Sequence, residues 1–381
     1  MLICTTEELA AFCAPLRGAP YVAIDTEFMS DRTYFPQLCL IQIAHGTRSA
    51  AIDALAAGLN LAPLAELLAA SDVLKVMHAG RQDLQILERA TGVVAAPYFD
   101  TQIAASVCGH GDQPGYDRLV RELLGRDVDK ASQATDWSRR PLTERQVKYA
   151  LGDVTHLCDV YEALAAELER SGRGSWIEEE MLGLLELATQ AVEPEQAYRR
   201  IKLRRGSPRS LAILRELAAW RERAAIERDL PRGWVVRDDA LAELAQNPAR
   251  DRQQLARVRG LKDAVARGAD GKALLAAIER GRALADEDCP QPPERPPERD
   301  YDESMVALLQ ALLRLRCDAH GVAPRLVATR TELEAIAAEG DVDVAALRGF
   351  RREIFGEDAL ALREGRLTLT GEDGRVVSRS R

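Results

Sequence analysis

Apolar residues in the first hundred positions fall in short unbroken runs separated by turn formers. Tyr21-Val22-Ala23-Ile24, running into Asp25-Thr26-Glu27-Phe28, reads as a first strand. Gln37 to Ala44, rich in branched apolar residues and ended by His45-Gly46, reads as a second. Ala50-Ala51-Ile52-Asp53 closes an antiparallel meander as a short third. Leu61, Leu64, Leu67 and Leu68 then recur at helical spacing, which predicts an amphipathic helix over one sheet face. Val73 to Met77 is a buried strand, and His78-Ala79-Gly80 turns it into a helix that begins near Arg81 and carries Asp83, Leu84, Ile86 and Leu87. After a short strand over Tyr98 to Thr101 the chain is mainly helical to about Ala191. Strands followed by a strand and helix alternation imply an α/β fold with a mixed sheet and helices packed on it.

Beyond Glu193-Pro194 the strand signals vanish and helices dominate. A basic segment, Arg199 to Arg205, precedes Ser207-Pro208, a helix start with Ser as cap and Pro in the first turn. Leu211, Leu214, Leu217 and Ala218 set a stripe that ends at Asp229-Leu230-Pro231-Arg232-Gly233, and shorter helices follow near 237–246, 251–258 and 271–285. A Pro-rich stretch from Cys289 to Arg299 reads as a stiff linker. After it Met305, Leu308, Leu309, Leu312 and Leu313 form another stripe, and His320-Gly321-Val322-Ala323-Pro324-Arg325 echoes the earlier Pro-Arg turn. Residues 300–381 therefore read as a diverged copy of residues 206–287. The expected organisation is an α/β domain over 1–200, a helical domain over 201–287, a linker over 288–299 and a second helical domain over 300–381.

Bulk properties change this picture little. A chain of 381 residues, 46% hydrophobic and 29% charged, fits a globular protein of two or three domains. No apolar run is long enough for a membrane span, and the N-terminus lacks a basic segment followed by an apolar one, so a cytoplasmic protein is expected. The seven cysteines are dispersed without a C-x-x-C pair, which fits reduced thiols better than disulfides or a zinc site. A net charge of −9 argues against a coat of positive charge yet leaves room for local basic patches on a nucleic-acid-binding protein.

Chemistry enters at Asp25-Thr26-Glu27. In an extended strand two acids one residue apart share a face, and such a pair is tolerated most readily with a cation between them. The alternative is a polar strand end with two solvated acids. Asp83, in the first turn of the helix after a buried strand, offers a third carboxylate, although an acid there also complements the helix dipole. Asp153 offers a fourth; Tyr149, four residues earlier on the same predicted helix, shares its face. Four carboxylates with a phenol suit phosphodiester hydrolysis with two divalent cations, Mg²⁺ or Mn²⁺. No Gly-rich phosphate loop with a Lys-Ser/Thr pair is present, which argues against an attached helicase motor.

Asp25-Thr26-Glu27-Phe28, His78-Ala79-Gly80-Arg81-Gln82-Asp83 and Tyr149-x-x-x-Asp153 resemble, in order, the three motifs of the tyrosine-containing DEDD exonucleases, and within them the ribonuclease D family. Phe28 to Pro36, Phe99-Asp100-Thr101-Gln102 and Thr135 to Thr143 support the resemblance. The helical remainder is similar to the helicase-and-RNase-D C-terminal (HRDC) domain, clearly near 207–285 and loosely in the second copy. The resemblance implies an RNase H-like exonuclease domain followed by two all-α HRDC-like domains, and 3′→5′ hydrolysis of RNA to nucleoside 5′-monophosphates. Asp25, Glu27, Asp83 and Asp153 would ligate the metals and Tyr149 would orient the attacking water. Lys130 would approach the terminal phosphate, Phe28 and Met29 would flank the 3′-terminal base, and His78 would contact substrate or simply terminate its strand. Trp137 reads as an anchor of its loop, and Trp220, Trp234 and the leucine stripes read as core.

The implied partner is RNA, with tRNA precursors or other structured 3′ ends as the family expectation, and no membrane or obligate protein partner is inferred. Two other readings stay open on sequence: a 3′→5′ DNA exonuclease with the same site, and a non-catalytic nucleic-acid-binding protein that uses its HRDC-like domains.

Overall fold

The structure is a computed structural model, and it describes residues 1–129, 133, 135–190, 193–203, 206–292 and 300–380. It divides into two compact units: one made of 1–27, 38–190 and the C-terminal residues from 298, the other of 28–37 and 191–297.

The first unit is built on a six-stranded mixed sheet. Its strands are β1 (Leu2–Ile3), β2 (Tyr21–Met29), β3 (Gln37–His45), β4 (Arg48–Asp53), β5 (Leu74–Met77) and β6 (Tyr98–Asp100), in the order β1-β4-β3-β2-β5-β6. The expected meander is present, with β3 and β4 antiparallel from Leu40↔Asp53 to His45↔Arg48. Strand β1, two residues long and parallel to Ala51 and Ile52, carries too little pattern to be read in advance. Strand β2 covers the expected residues 21–28, its two acids included, and one residue more. It runs to Met29, while its parallel ladder with β5 ends at Ala23↔Val76. Asp25 and Glu27 thus lie just past the end of β5, where the chain turns into the next helix.

Helices α1 (Thr6–Cys13), α2 (Ala62–Ala69), α3 (Arg81–Thr91), α4 (Thr101–Cys108), α5 (Tyr116–Leu124), α6 (Glu144–Ser171) and α7 (Gly174–Thr189) complete the α/β part. The long α6 opens with a capping box: the Thr143 side chain accepts from Gln146 N, and the Gln146 side chain returns the bond to Thr143 N at 3.0 Å. Its loop is fixed by Arg140, whose guanidinium donates to both Asp53 carboxylate oxygens (2.8 and 2.6 Å) and to the Trp137 and Cys39 carbonyls (2.7 and 2.8 Å). Trp137 is buried, in keeping with an anchoring role.

The second unit holds α8 (Pro208–Arg228), α9 (Arg232–Val235), α10 (Asp238–Gln246), α11 (Arg252–Leu255), α12 (Asp263–Arg267) and α13 (Ala269–Ala283) around the expected leucine stripe. Ser207 caps α8, with its hydroxyl accepting from Ser210 N at 3.1 Å. Trp220 packs against this core, but Trp234 is 55% exposed, because on its one-turn helix only Val235 turns inward. Within the basic segment, Arg199 and Arg200 are exposed, and Arg204 and Arg205 lie outside the described residues.

The C-terminal module begins with α14 (Glu303–His320), α15 (Pro324–Val327) and α16 (Arg330–Glu339) and continues in helical turns to Arg363. It is not all-α. It ends in an antiparallel hairpin, β7 (Leu367–Glu372) and β8 (Arg375–Ser380), turned by Asp373 and Gly374 at φ +49° and +76°. This module packs on α7: Phe350 stacks on Trp176 with ring centroids 4.8 Å apart, and Arg351 donates to Glu180 and to the Leu326 carbonyl. Most of the linker, residues 293–299, lies outside the described residues. Among the described residues no helix is long and apolar enough to cross a membrane.

Candidate active site

Three elements deliver the acids. Strand β2 carries Asp25 and Glu27, both half-buried; the first turn of α3 carries Asp83, 9% exposed; α6 carries Asp153, 7% exposed. Four residues before Asp153, one turn back along α6, Tyr149 hydrogen-bonds to its carboxylate. Thr26 donates to Asp83 Oδ1, tying strand to helix directly.

The four carboxylates lie within one another's electrostatic field. Burial, and then the charges of Asp83 and Asp153, push Asp25 well above the usual carboxylate range. Glu27 rises to about 9, first by burial and then through Asp25, Asp153 and Asp83. Burial also raises Asp83, against the hydrogen bond from Thr26, and raises Asp153 to about 7 against the bond from Tyr149. Among the described residues none of the four pairs with a Lys or Arg side chain. The Tyr149 phenol is raised far above neutrality by burial and then by Asp153 and Glu27, so it keeps its proton.

Asp25, Tyr149, Asp153 and His78 line one cavity of about 320 Å³, together with Tyr116 and Gln133. His78 follows β5 directly, with Nδ1 3.0 Å from Thr101 Oγ1, and burial lowers its pKa, which favours the neutral imidazole. Of the remaining expected site residues, Phe28 and Met29 are half-buried at the end of β2 and fall in the other compact unit, and Lys130 lies outside the described residues. Two residues that the sequence reading passed over belong to the site's frame. Thr26 is one; the other is Tyr116, whose hydroxyl donates to the Asp153 carbonyl and whose ring lies 5.2 Å from that of His78. A tyrosine at a helix start after Gln113-Pro114-Gly115 gives no signal of such a contact, which is wholly tertiary.

An oxygen-only donor set of high negative charge fits a hard divalent cation. Among the described residues no three acidic, His or Cys side chains converge on one point as metal ligands. The raised pKa values show that the site resists holding these charges unaided, and a bound cation would favour their ionised forms.

This sheet, with acids from a strand and two helices gathered beside a cavity, defines the class: a carboxylate-dependent nuclease-type α/β domain followed in the chain by a helical module. A family model described as 3′-5′ exonuclease matches residues 2–169, and one for the HRDC domain matches residues 210–278. Over nearly its whole length the chain is similar to two proteins named ribonuclease D. The one from Acidiphilium cryptum is 46% identical over 99% of this chain and 96% of that protein, and the one from Nitrobacter hamburgensis is 45% identical over 99% and 98%. The crystal structure of Escherichia coli RNase D, an exoribonuclease involved in structured RNA processing, matches with a TM-score of 0.79 at 32% identity, covering 95% of this chain and 98% of that one. The chain belongs to the ribonuclease D family of 3′→5′ exoribonucleases.

Proposed function

We propose that the protein shortens RNA from its 3′ end one nucleotide at a time, releasing nucleoside 5′-monophosphates, with tRNA precursors and other structured RNAs in the cytoplasm as substrates. The observation that carries this reading is the cluster of Asp25, Glu27, Asp83 and Asp153: burial raises all four, the neighbouring acids raise Asp25 and Glu27 further, and none of the four pairs with a Lys or Arg side chain among the described residues. These four side chains would hold two divalent cations, Mg²⁺ or Mn²⁺. When bound, such ions lower the pKa of a coordinated water and offset charge on the reacting phosphate.

The chain's own groups do the rest. Tyr149 is a donor at working pH, so it orients a water or phosphate oxygen beside Asp153 and does not remove a proton. His78, with Nδ1 beside Thr101, lines the cavity that would receive the terminal nucleotide. Phe28 and Met29 flank the 3′-terminal base with contacts that any base accepts, and Lys130 meets the terminal phosphate. Residues 300–381 are a second, diverged HRDC-like module following that of 201–287 and the linker at 288–299. The repeated succession of a long helix, a one-turn helix opened near a proline and a helix of nine or ten residues supports this.

The test is hydrolysis of matched RNA and DNA oligonucleotides with free 3′ hydroxyls. The expected result is Mn²⁺- or Mg²⁺-dependent release of mononucleotides, faster from RNA. Undiminished activity in Asp25→Asn, or in excess chelator, would overturn the reading.

A further inference from the structure

Asp100, at the end of β6, is not among the residues expected to meet substrate or metal. Even so, it is completely buried and holds the turn from which Asp83 projects. Its Oδ1 accepts from Ala79 N at 3.0 Å and from Gln102 N at 2.8 Å. Its Oδ2 accepts from Gly80 N at 3.0 Å and from the Tyr98 hydroxyl at 2.6 Å. Four donors on two oxygens are what an ionised, acceptor-only carboxylate can satisfy, and burying it elsewhere in an α/β core would be costly.

The turn it holds is one that would not keep its shape unaided. Ala79 sits at φ +52°, a left-handed conformation that a residue with a Cβ adopts only at a cost. Gly80 has no room for a side chain, since a Cβ there would lie 2.6 Å from Met77 Cβ and 2.9 Å from the Tyr98 hydroxyl. Helix α3 begins on Gly80 with no side-chain cap of its own, so its first turn is oriented by whatever grips Ala79 and Gly80. Asp83 is the third residue of that helix. The Asp100 backbone N–H in turn reaches Met181 Sδ on α7 at 3.1 Å, so the grip is seated on the helix that carries the C-terminal module.

We propose that Asp100 is a positioning residue of the nuclease: its carboxylate fixes the strained Ala79-Gly80 turn and so sets where the Asp83 carboxylate stands relative to Asp25. The proposal rests on the reading of Asp83 as part of the active site.

The experiment compares the full-length wild-type protein with Asp100→Asn, Tyr98→Phe and Asp83→Asn, following mononucleotide release from a short 3′-hydroxyl RNA across a Mn²⁺ titration. An Asn at position 100 must turn its NH₂ toward at least one of the donors that now point at Oδ1 or Oδ2. In Asp100→Asn, kcat is expected to fall about 30-fold, with KM for RNA unchanged and the half-activating Mn²⁺ concentration raised several-fold, the scale on which supports of metal ligands act. Tyr98→Phe removes one bond and inverts none, so it is expected to lower kcat only about 3-fold with a Mn²⁺ shift in the same direction. A purely structural role would lower the melting temperature but leave kcat per folded molecule and the Mn²⁺ midpoint at wild-type values; that result overturns the proposal. Should Asp100→Asn not fold, Tyr98→Phe decides in the same way. An active Asp83→Asn would instead overturn the reading of the site. An inactive Asp83→Asn beside an Asp100→Asn that matches wild type overturns the positioning role alone.

Discussion

In the helical unit, Glu222 is buried as completely as any residue of the protein, and it receives Arg232 Nε at 2.9 and 2.8 Å, Arg232 Nη2 at 2.7 Å and the Tyr34 hydroxyl. Burial pushes its pKa up, and the bonds from Arg232 and Tyr34 more than reverse this, so it ends below the usual range. In the sheet unit, Asp25, Glu27, Asp83 and Asp153 are also largely buried, yet burial pushes all four up, the neighbouring acids push Asp25 and Glu27 further, and among the described residues no Lys or Arg pairs with them. The same chemical group is treated in opposite ways by one chain. Where a carboxylate is structural, its partner is built in; where it serves the proposed reaction, the countercharge would be supplied by a ligand, at some cost in stability.

The contrast can be broken first at the acids. Asp25→Asn or Asp153→Asn should reduce mononucleotide release by about 10³-fold, the scale on which charge-stabilising groups act, while circular dichroism stays native. Tyr149→Phe keeps the ring and loses the bond to Asp153, so kcat should fall by about 30-fold. At Glu222 the expected loss is of stability: Arg232→Met strands a buried charge and should cost about 2 kcal/mol in urea unfolding, less than for a wholly buried pair because Arg232 is partly exposed. Activity per folded molecule then reports only how far that unit supports RNA binding.

The smallest effect is the sign of a pH slope. In chelator, carboxylates with raised native pKa bind protons more tightly when folded. Their contribution is complete below the unfolded value of about 4 and is lost as pH rises, toward about 7 for Asp153 and about 9 for Glu27. Glu222, with a lowered native pKa, contributes above its unfolded value of about 4.3 and loses this as pH falls through its folded value. Urea unfolding at several pH values should show Asp153→Asn flattening the first slope and Glu222→Gln the second, each by no more than about 1.4 kcal/mol per pH unit.

How much of this was legible in the sequence depends on how local the cause was. Strands β2 to β6 were readable because unbroken apolar runs ended in turn formers, and the acids because fixed spacings on a strand and a helix put them on shared faces. Asp100, Thr26 and Tyr116 were not readable as parts of the site, since their roles lie in contacts between segments far apart in sequence. Trp234 was misplaced because a one-turn helix has no buried face for a bulky neighbour of Val235. The C-terminal hairpin could have been found. Asp373-Gly374 between Leu367-Thr368-Leu369-Thr370 and Val376-Val377-Ser378 is a two-residue hairpin signal, although the helical stripe and Pro-Arg turn earlier in 300–381 point to a helical copy. The match of the HRDC family model to residues 210–278 supports the first of the two helical modules.

The claim that the acid cluster is kept for a divalent cation is tested most directly by calorimetric melting of the metal-free protein with increasing Mn²⁺. The account expects the melting temperature to climb with Mn²⁺, reaching about 2.7 kcal/mol of added stability at a hundredfold excess over the dissociation constant. It also expects Asp25→Asn to melt higher than wild type in chelator and to gain little from Mn²⁺. A wild-type melting temperature indifferent to Mn²⁺, with Asp25→Asn no more stable than wild type in chelator, would contradict it.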